Sequence, residues 1–243
     1  MDLSQRTVSI VGVALIVGAI LTVINIGLTG AGSSDKSPFE RDEVEEYLTD
    51  INDNEGLVLA GAAVGVVNDG VFVIVAAAAF FILFRDRSPF LATLSMVAIA
   101  VAASLSLVVD ISNVLLTGIA ADYVEGGAGD IPAGDSSTLE LGRYVGMITF
   151  AFVNLLFTAV GTGFVALGLI LVGAPQGLIN PPKWIGWVAI VAGISAWLAW
   201  LVVVTDPGFV FFPIQLLSTL VLLISLGVWL LRHSDLQPAP MKA

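Results

Sequence analysis

Six stretches of this chain, residues 7–28, 56–84, 90–118, 139–173, 184–205 and 208–231, run for about 20 residues or more with almost no charge. That length of apolar helix crosses a hydrocarbon core of roughly 30 Å. Lipid offers no partner to backbone N–H and C=O groups, so each run must close its hydrogen bonds internally as a helix. The alternating pattern of a membrane β-barrel is absent. Composition agrees: 57% of residues are hydrophobic and 12% charged, with a mean hydropathy of +0.99, against roughly 25% charged in a soluble domain. The expected fold is therefore all-α, a single bundle of six transmembrane helices covering residues 1–243. The first run is preceded by Arg6 and followed by Gly30, Ala31 and Gly32, as a cleaved leader would be. It is longer than a leader's apolar stretch, which makes it a span.

Several chemistries lack the residues they need. There is no cysteine, so disulfides and thiolate metal sites are excluded. The one histidine, His233, lies in the C-terminal tail, which leaves no pair of intramembrane histidines to hold haem. No lysine falls inside a run, so no retinal Schiff base can form. No cofactor is expected. Nor is a nucleic-acid partner, since no basic patch exists; the expected surroundings are the lipid bilayer and, as open alternatives, a second copy of the chain or a membrane complex.

Basic residues give the orientation. Arg6, Arg85, Arg87, Lys183, Arg232 and Lys242 fall on one side of the bundle, and Lys36, Arg41 and Arg143 on the other. Lys and Arg in short loops mark the cytoplasmic face. Both termini are thus expected in the cytoplasm of a cell with an inner membrane, with Trp184, Trp187 and Trp229 near the inner headgroups. The opposite face is acidic. Nine carboxylates between Asp35 and Glu55 and four more from Asp122 to Asp135 contribute to a net charge of -11. Two readings stand: a vestibule that concentrates cations, or a solvated acidic surface suited to high salt. No spacing resembles an EF-hand loop.

Within the first acidic loop, Ser37-Pro38 is a helix-start signal, and Val44, Tyr47, Leu48 and Ile51 recur at helical spacing. This predicts a short amphipathic helix lying on the outer surface or capping the bundle. The second loop, from Glu125 to Ser137, is rich in Gly, Pro, Asp and Ser and is expected to be flexible. Pro213, six residues into the last run, is expected to bend its outer end. With Phe209, Phe211 and Phe212 it marks either an outer pocket or a lipid-facing aromatic belt.

Ionisable groups at membrane depth cost about 2.5 to 3.5 kcal/mol on insertion scales and generally face the bundle interior. Asp69 and Asp110 are such groups. Gly61, Gly65 and Asp69 are spaced by four and share a helix face, where small residues allow close contact. On the third run Ser95, Ala98, Ala102, Ser106, Asp110, Asn113 and Thr117 form a small and polar stripe, and the fourth run adds Gly142, Gly146, Asn154, Thr158 and Thr162. Depth counting brings Asn154 near Asp69 and Asp110 near Arg143. The expectation is that runs two, three and four meet along these faces, with Asp110 paired to Arg143. The seam formed by Asn68, Asp69, Asp110, Asn113, Arg143 and Asn154 has two readings. It is a site for a cation, a proton or a small polar solute, with Asp69 titrating, or a set of interhelical hydrogen bonds that fixes register.

Three short motifs carry a family resemblance: Arg6-Thr7-Val8-Ser9-Ile10-Val11-Gly12; Tyr47-Leu48-Thr49-Asp50-Ile51-Asn52-Asp53-Asn54; and Leu178-Ile179-Asn180-Pro181-Pro182-Lys183-Trp184-Ile185-Gly186-Trp187. The chain resembles, over nearly its whole length, a prokaryotic six-span membrane family known as domain of unknown function 4386. The resemblance implies six helices and a bacterial or archaeal inner membrane, and it supplies no catalytic residues. The long acidic loops depart from the family's pattern, in keeping with a high-salt habitat. A Ser/His or Asp/Asp catalytic pairing, a metal-ligand cluster and a nucleotide loop are not evident, so the expected function is non-enzymatic. It is either transport of a small solute, cation or proton through the seam at Asp69, or a structural or accessory role in a membrane complex, for which the small faces at Gly142 and Gly146 would serve as contact surfaces.

Overall fold

A computed structural model describes residues 5–32, 36–127, 131–174, 181–199 and 211–233, with side chains from Val8 onward. The end of the fifth apolar run, the start of the sixth with Phe209, the turn at 175–180 and the C-terminal tail lie outside the described residues. In chain order the helices are α1 (Gln5–Gly32), α2 (Val44–Asp53), α3 (Glu55–Val67), a π-helical segment (Asn68–Val73), α4 (Ile74–Phe84), α5 (Pro89–Glu125), α6 (Ser136–Gly173), α7 (Lys183–Ala199) and α8 (Phe211–Arg232). The fold is an all-α membrane bundle, and no strand occurs among the described residues. Five helices among the described residues are long and apolar enough to cross a membrane: Val8–Gly32, Glu55–Phe84, Pro89–Glu125, Ser136–Gly173 and Phe211–Arg232. Lys183–Ala199 is a shorter apolar helix. Each long helix turns large apolar side chains outward, such as Ile10, Val71, Ile111, Leu155 and Leu217, an exterior that only lipid can solvate.

The chain packs as two compact units. One comprises residues 1–20, 71–103 and 156–243, the other residues 21–70 and 104–155. In the first, glycines let helix backbones touch. A Cβ at Gly12 would stand 2.9 Å from the carbonyl oxygen of Gly227, and one at Gly193 only 2.7 Å from that of Gly161. Such close approach of small residues replaces the hydrophobic drive that lipid-solvated helices lack. Around these crossings Leu15, Phe80, Leu167, Leu171, Ile185 and Leu226 form the buried core. Pro213 is the third described residue of α8, and the residues before Phe211, where a bend of this span's outer end would show, lie outside the described residues.

The second unit carries the amphipathic helix α2. Its start differs from expectation: Ser37 and Pro38 lie in a turn, where Ser37 Oγ accepts the Phe39 N–H at 3.2 Å and the Ser37 N–H donates to Glu43 Oε2 at 2.9 Å. The helix opens only at Val44, with Glu45 and Glu46 in its first turn, where carboxylates favour the helix dipole. Val44, Tyr47, Leu48 and Ile51 are buried against Leu116, Ala120 and Tyr123 of α5. α2 thus caps this unit. Burial pushes the Tyr47 phenol up to about 12.

The loop between α5 and α6 is tied down at its described residues. Gly126 adopts a φ of +91°, which only glycine takes freely, and the N–H groups of Gly127 and Gly134 donate to Ile131 O at 3.0 Å and Tyr123 O at 2.8 Å. Asp135 then caps α6, accepting the N–H groups of Ser137 and Thr138 at 3.0 Å each. Residues 128–130 of this segment lie outside the described residues.

Candidate polar site

In the α2-bearing unit, α1 and α3 run antiparallel in one register. Gly32 meets Val58, Thr29 meets Gly61, Asn25 meets Gly65, and Thr22 accepts a hydrogen bond from Asn68. Steps of three and four on one helix match equal steps on the other, as a single shared seam requires. Glycine makes the contact possible. Asn25 Nδ2 donates to the Gly61 carbonyl at 3.2 Å, and Thr29 Oγ1 to the Asn25 carbonyl at 2.8 Å.

At Gly65 the missing side chain leaves room for two functional groups. A Cβ there would collide with Asn25 Nδ2 and with both carboxylate oxygens of Asp110. The Asn25 amide is hydrogen-bonded to the Asp110 side chain. One turn further, Asn68 Nδ2 reaches Thr22 Oγ1 at 3.1 Å and Asp69 Oδ1 at 3.2 Å, and Ser106 of α5 bonds the Asp69 carboxyl. Asp69 and Asp110 are close enough to feel one another's charge. Asn68, Asp69 and Asp110 are 4%, 8% and 3% exposed, so all three face inward. Two acceptors in this cluster, Asn68 Oδ1 and Asp110 Oδ2, are buried without a hydrogen-bond partner.

The backbone changes at the same place. Asn68 to Val73 form a π-helical segment between α3 and α4. Asn68 and Asp69 carry side chains that compete for backbone hydrogen bonds, and Gly70 adds no packing to hold a tight turn. The i→i+5 pattern that results is rare and recurs at functional sites. It lets two consecutive polar residues turn inward together.

The seam differs from the expected one in four respects. α1 belongs to it, through Thr22, Asn25 and Thr29. Arg143 does not pair with Asp110: its Nη1 lies 3.5 Å from Oε2 of Glu140, one turn earlier on the same helix, and Arg41 Nη2 holds the other oxygen of Glu140 at 2.7 Å. A neighbour three residues away on the same face is within easy reach, whereas Asp110 already has Asn25 beside it. Gly142 and Gly146 are not exposed, for Leu48 of α2 lies over the first and Pro38 and the Tyr47 hydroxyl over the second. Finally, a π-helical segment interrupts the span at Asn68 and Asp69, in place of the expected unbroken apolar helix. Asn113 is half-buried on α5 three residues beyond Asp110, its side chain making no hydrogen bond among the described residues, and Asn154 is half-buried on α6. No group of three or more His, Cys, Asp or Glu residues converges among the described residues.

The family described as Domain of unknown function (DUF4386) matches residues 10–233, from within α1 to beyond the end of α8. This chain belongs to that family. No curated protein and no solved structure matches it. Membership thus agrees with the membrane fold and leaves the chemistry to be argued from the site itself.

Proposed function

We propose that the chain is a non-enzymatic protein of a prokaryotic cytoplasmic membrane, with both termini in the cytoplasm, that moves a small cation through the cluster around Asp69 and Asp110. The observation that carries this reading is the excess of acceptors: two carboxyl groups at membrane depth, with Asp110 Oδ2 and Asn68 Oδ1 lacking any donor. Intramembrane carboxylates of this kind mark ion and proton pathways, and the π-helical segment supplies a backbone irregularity at the same spot. The basic residues at 85, 87 and 183 support the orientation, and the acidic residues around α2 would raise the cation concentration at the opposite face. Against an aspartyl hydrolase stands the separation of partners: Asp69 is held by Asn68 and Ser106, and Asp110 by Asn25.

The test is flux through the purified full-length protein in liposomes, with proton, sodium and potassium gradients imposed in turn. Asp69→Asn and Asp110→Asn should each lower a flux that the unaltered protein supports. Absence of flux with every ion would refute the reading. The α1–α3 register favours a second one, in which the same hydrogen bonds only lock helices and the chain is an accessory subunit. On that reading Asp69→Asn leaves stability within about 1 kcal/mol, since an interhelical bond in a membrane averages roughly 0.6 kcal/mol.

A further inference from the structure

Resting on the reading of this cluster as a cation site, we infer that the cation is a proton, carried on Oδ2 of Asp110, with Asp69 as a neighbour whose hydrogen bonds are already met. A side-chain amide offers two N–H groups and a hydroxyl one. Asn25 directs its amide to the Gly61 carbonyl and to Asp110, and Asn68 directs its own to Thr22 Oγ1 and Asp69 Oδ1. Thr29 gives its hydroxyl to the Asn25 carbonyl, and Ser106 bonds Asp69. These donors are all committed, and Asp110 Oδ2 still has none.

A buried carboxylate oxygen in that position is satisfied by an ordered water, a metal ion or a proton of its own, and of these only the last two carry charge. A hard metal ion such as calcium gathers six to eight oxygens and magnesium six. Among the described residues no three carboxylates or histidines converge, and the Asn25 amide turns N–H groups toward the same carboxyl. A proton needs one oxygen. Asp69 has donors from two side chains and Asp110 from one, which selects Asp110. The titratable group facing it is Asp69, on the π-helical segment; α1 presents the neutral Thr22, Asn25 and Thr29, and on α6 Glu140 and Arg143 are paired with one another. The step is the formation and breaking of a single O–H bond, with the proton entering and leaving as H⁺.

Infrared difference spectroscopy of the full-length protein in lipid vesicles, stepped in pH with and without sodium, tests this directly. A protonated-carboxyl C=O band is expected that Asp110→Asn abolishes, Asp110→Glu moves in frequency, Asp69→Asn retains and sodium does not alter. The Asp110→Glu variant keeps the test decisive if the asparagine variant fails to fold. Loss of the band in Asp69→Asn alone would place the proton on Asp69 and overturn the inference. So would a sodium-dependent shift of carboxylate bands with no protonated band, even where sodium flux upholds cation transport. The expected band pattern without flux of any ion would instead retire transport and leave protonation of Asp110 standing.

Discussion

Gly65 is the position where a single methyl group tests the geometry of the cluster. Gly65→Ala places a Cβ 2.5 Å from Asp110 Oδ1 and in collision with Asp110 Oδ2 and Asn25 Nδ2. Neither side chain is free to yield, since Asn25 is tied to the Gly61 carbonyl and Asp110 is 3% exposed. Overpacking a filled interior costs about 1–3 kcal/mol. Losing the bonds from Asn25 to Gly61 and Asp110 adds about 0.6 kcal/mol each. Alanine's better helix propensity returns up to about 1 kcal/mol. The net loss is about 1–3 kcal/mol, or roughly five-fold to more than a hundred-fold in the unfolding equilibrium.

Gly118→Ala, on α5, is the matched control. Nothing lies within 4 Å of a Cβ built at Gly118, so only the propensity gain of up to about 1 kcal/mol remains. Equilibrium unfolding in mixed detergent micelles, followed by circular dichroism, compares the two variants. The expected separation is about 2–4 kcal/mol. If Gly65→Ala proves as stable as Gly118→Ala, then α1 and Asp110 do not converge over Gly65, and the donor count built on that convergence fails with it.

Leu48 is fully buried and lies over Gly142. Leu48→Ala should cost about 2–5 kcal/mol and, because a helix as short as α2 is marginal alone, should speed amide exchange across residues 44–53 while α5 and α6 stay protected. Asp135→Ala should fray the start of α6, read as faster exchange at the Ser137 and Thr138 amides. Hydrogen bonds from Ser137 and Thr138 hold the Asp135 carboxyl below the usual aspartate range. The cap therefore stabilises at full strength above that range and is lost as pH falls through the lower native value; exchange at these two amides that ignores acidification would refute the cap.

Spans, acidic face and the short amphipathic helix follow from patterns that composition and period carry openly. Runs of apolar residues leave no alternative to helices in lipid, and Val44, Tyr47, Leu48 and Ile51 mark one face of α2 as firmly as side chains can. Partner choice is different in kind. Thr22, Asn25 and Thr29 step by three and four along the first helix, a polar stripe as regular as the one on α5. The stripe on α1 holds no charged group, and charge is what marks a polar site at membrane depth most openly. The π-helical segment had a signal too, in three successive poor helix formers at Asn68, Asp69 and Gly70. The Arg143 pairing failed for a reason depth counting cannot see: Glu140 lies one turn away on the same face, and Arg41 arrives from a turn whose path the sequence does not give.

Hydrogen bonding that fixes helix register and binding of a cation are usually set against one another, yet in this cluster the first produces the condition for the second. Each amide hydrogen of Asn25 and Asn68 that joins α1 to α3, or steadies a carboxyl, is one fewer for the remaining oxygens. Because Gly61 and Gly65 bring the helices within hydrogen-bond range, those donors are held where they are and cannot swing to Asp110 Oδ2 or Asn68 Oδ1. A looser seam would let side chains rotate and share donors among acceptors. The tight one keeps two buried acceptors without a donor among the described residues, and a buried acceptor left bare costs about 1–3 kcal/mol. Variants that loosen the register, Gly65→Ala first among them, should therefore change the protonation of Asp110 and the stability together, and never one alone.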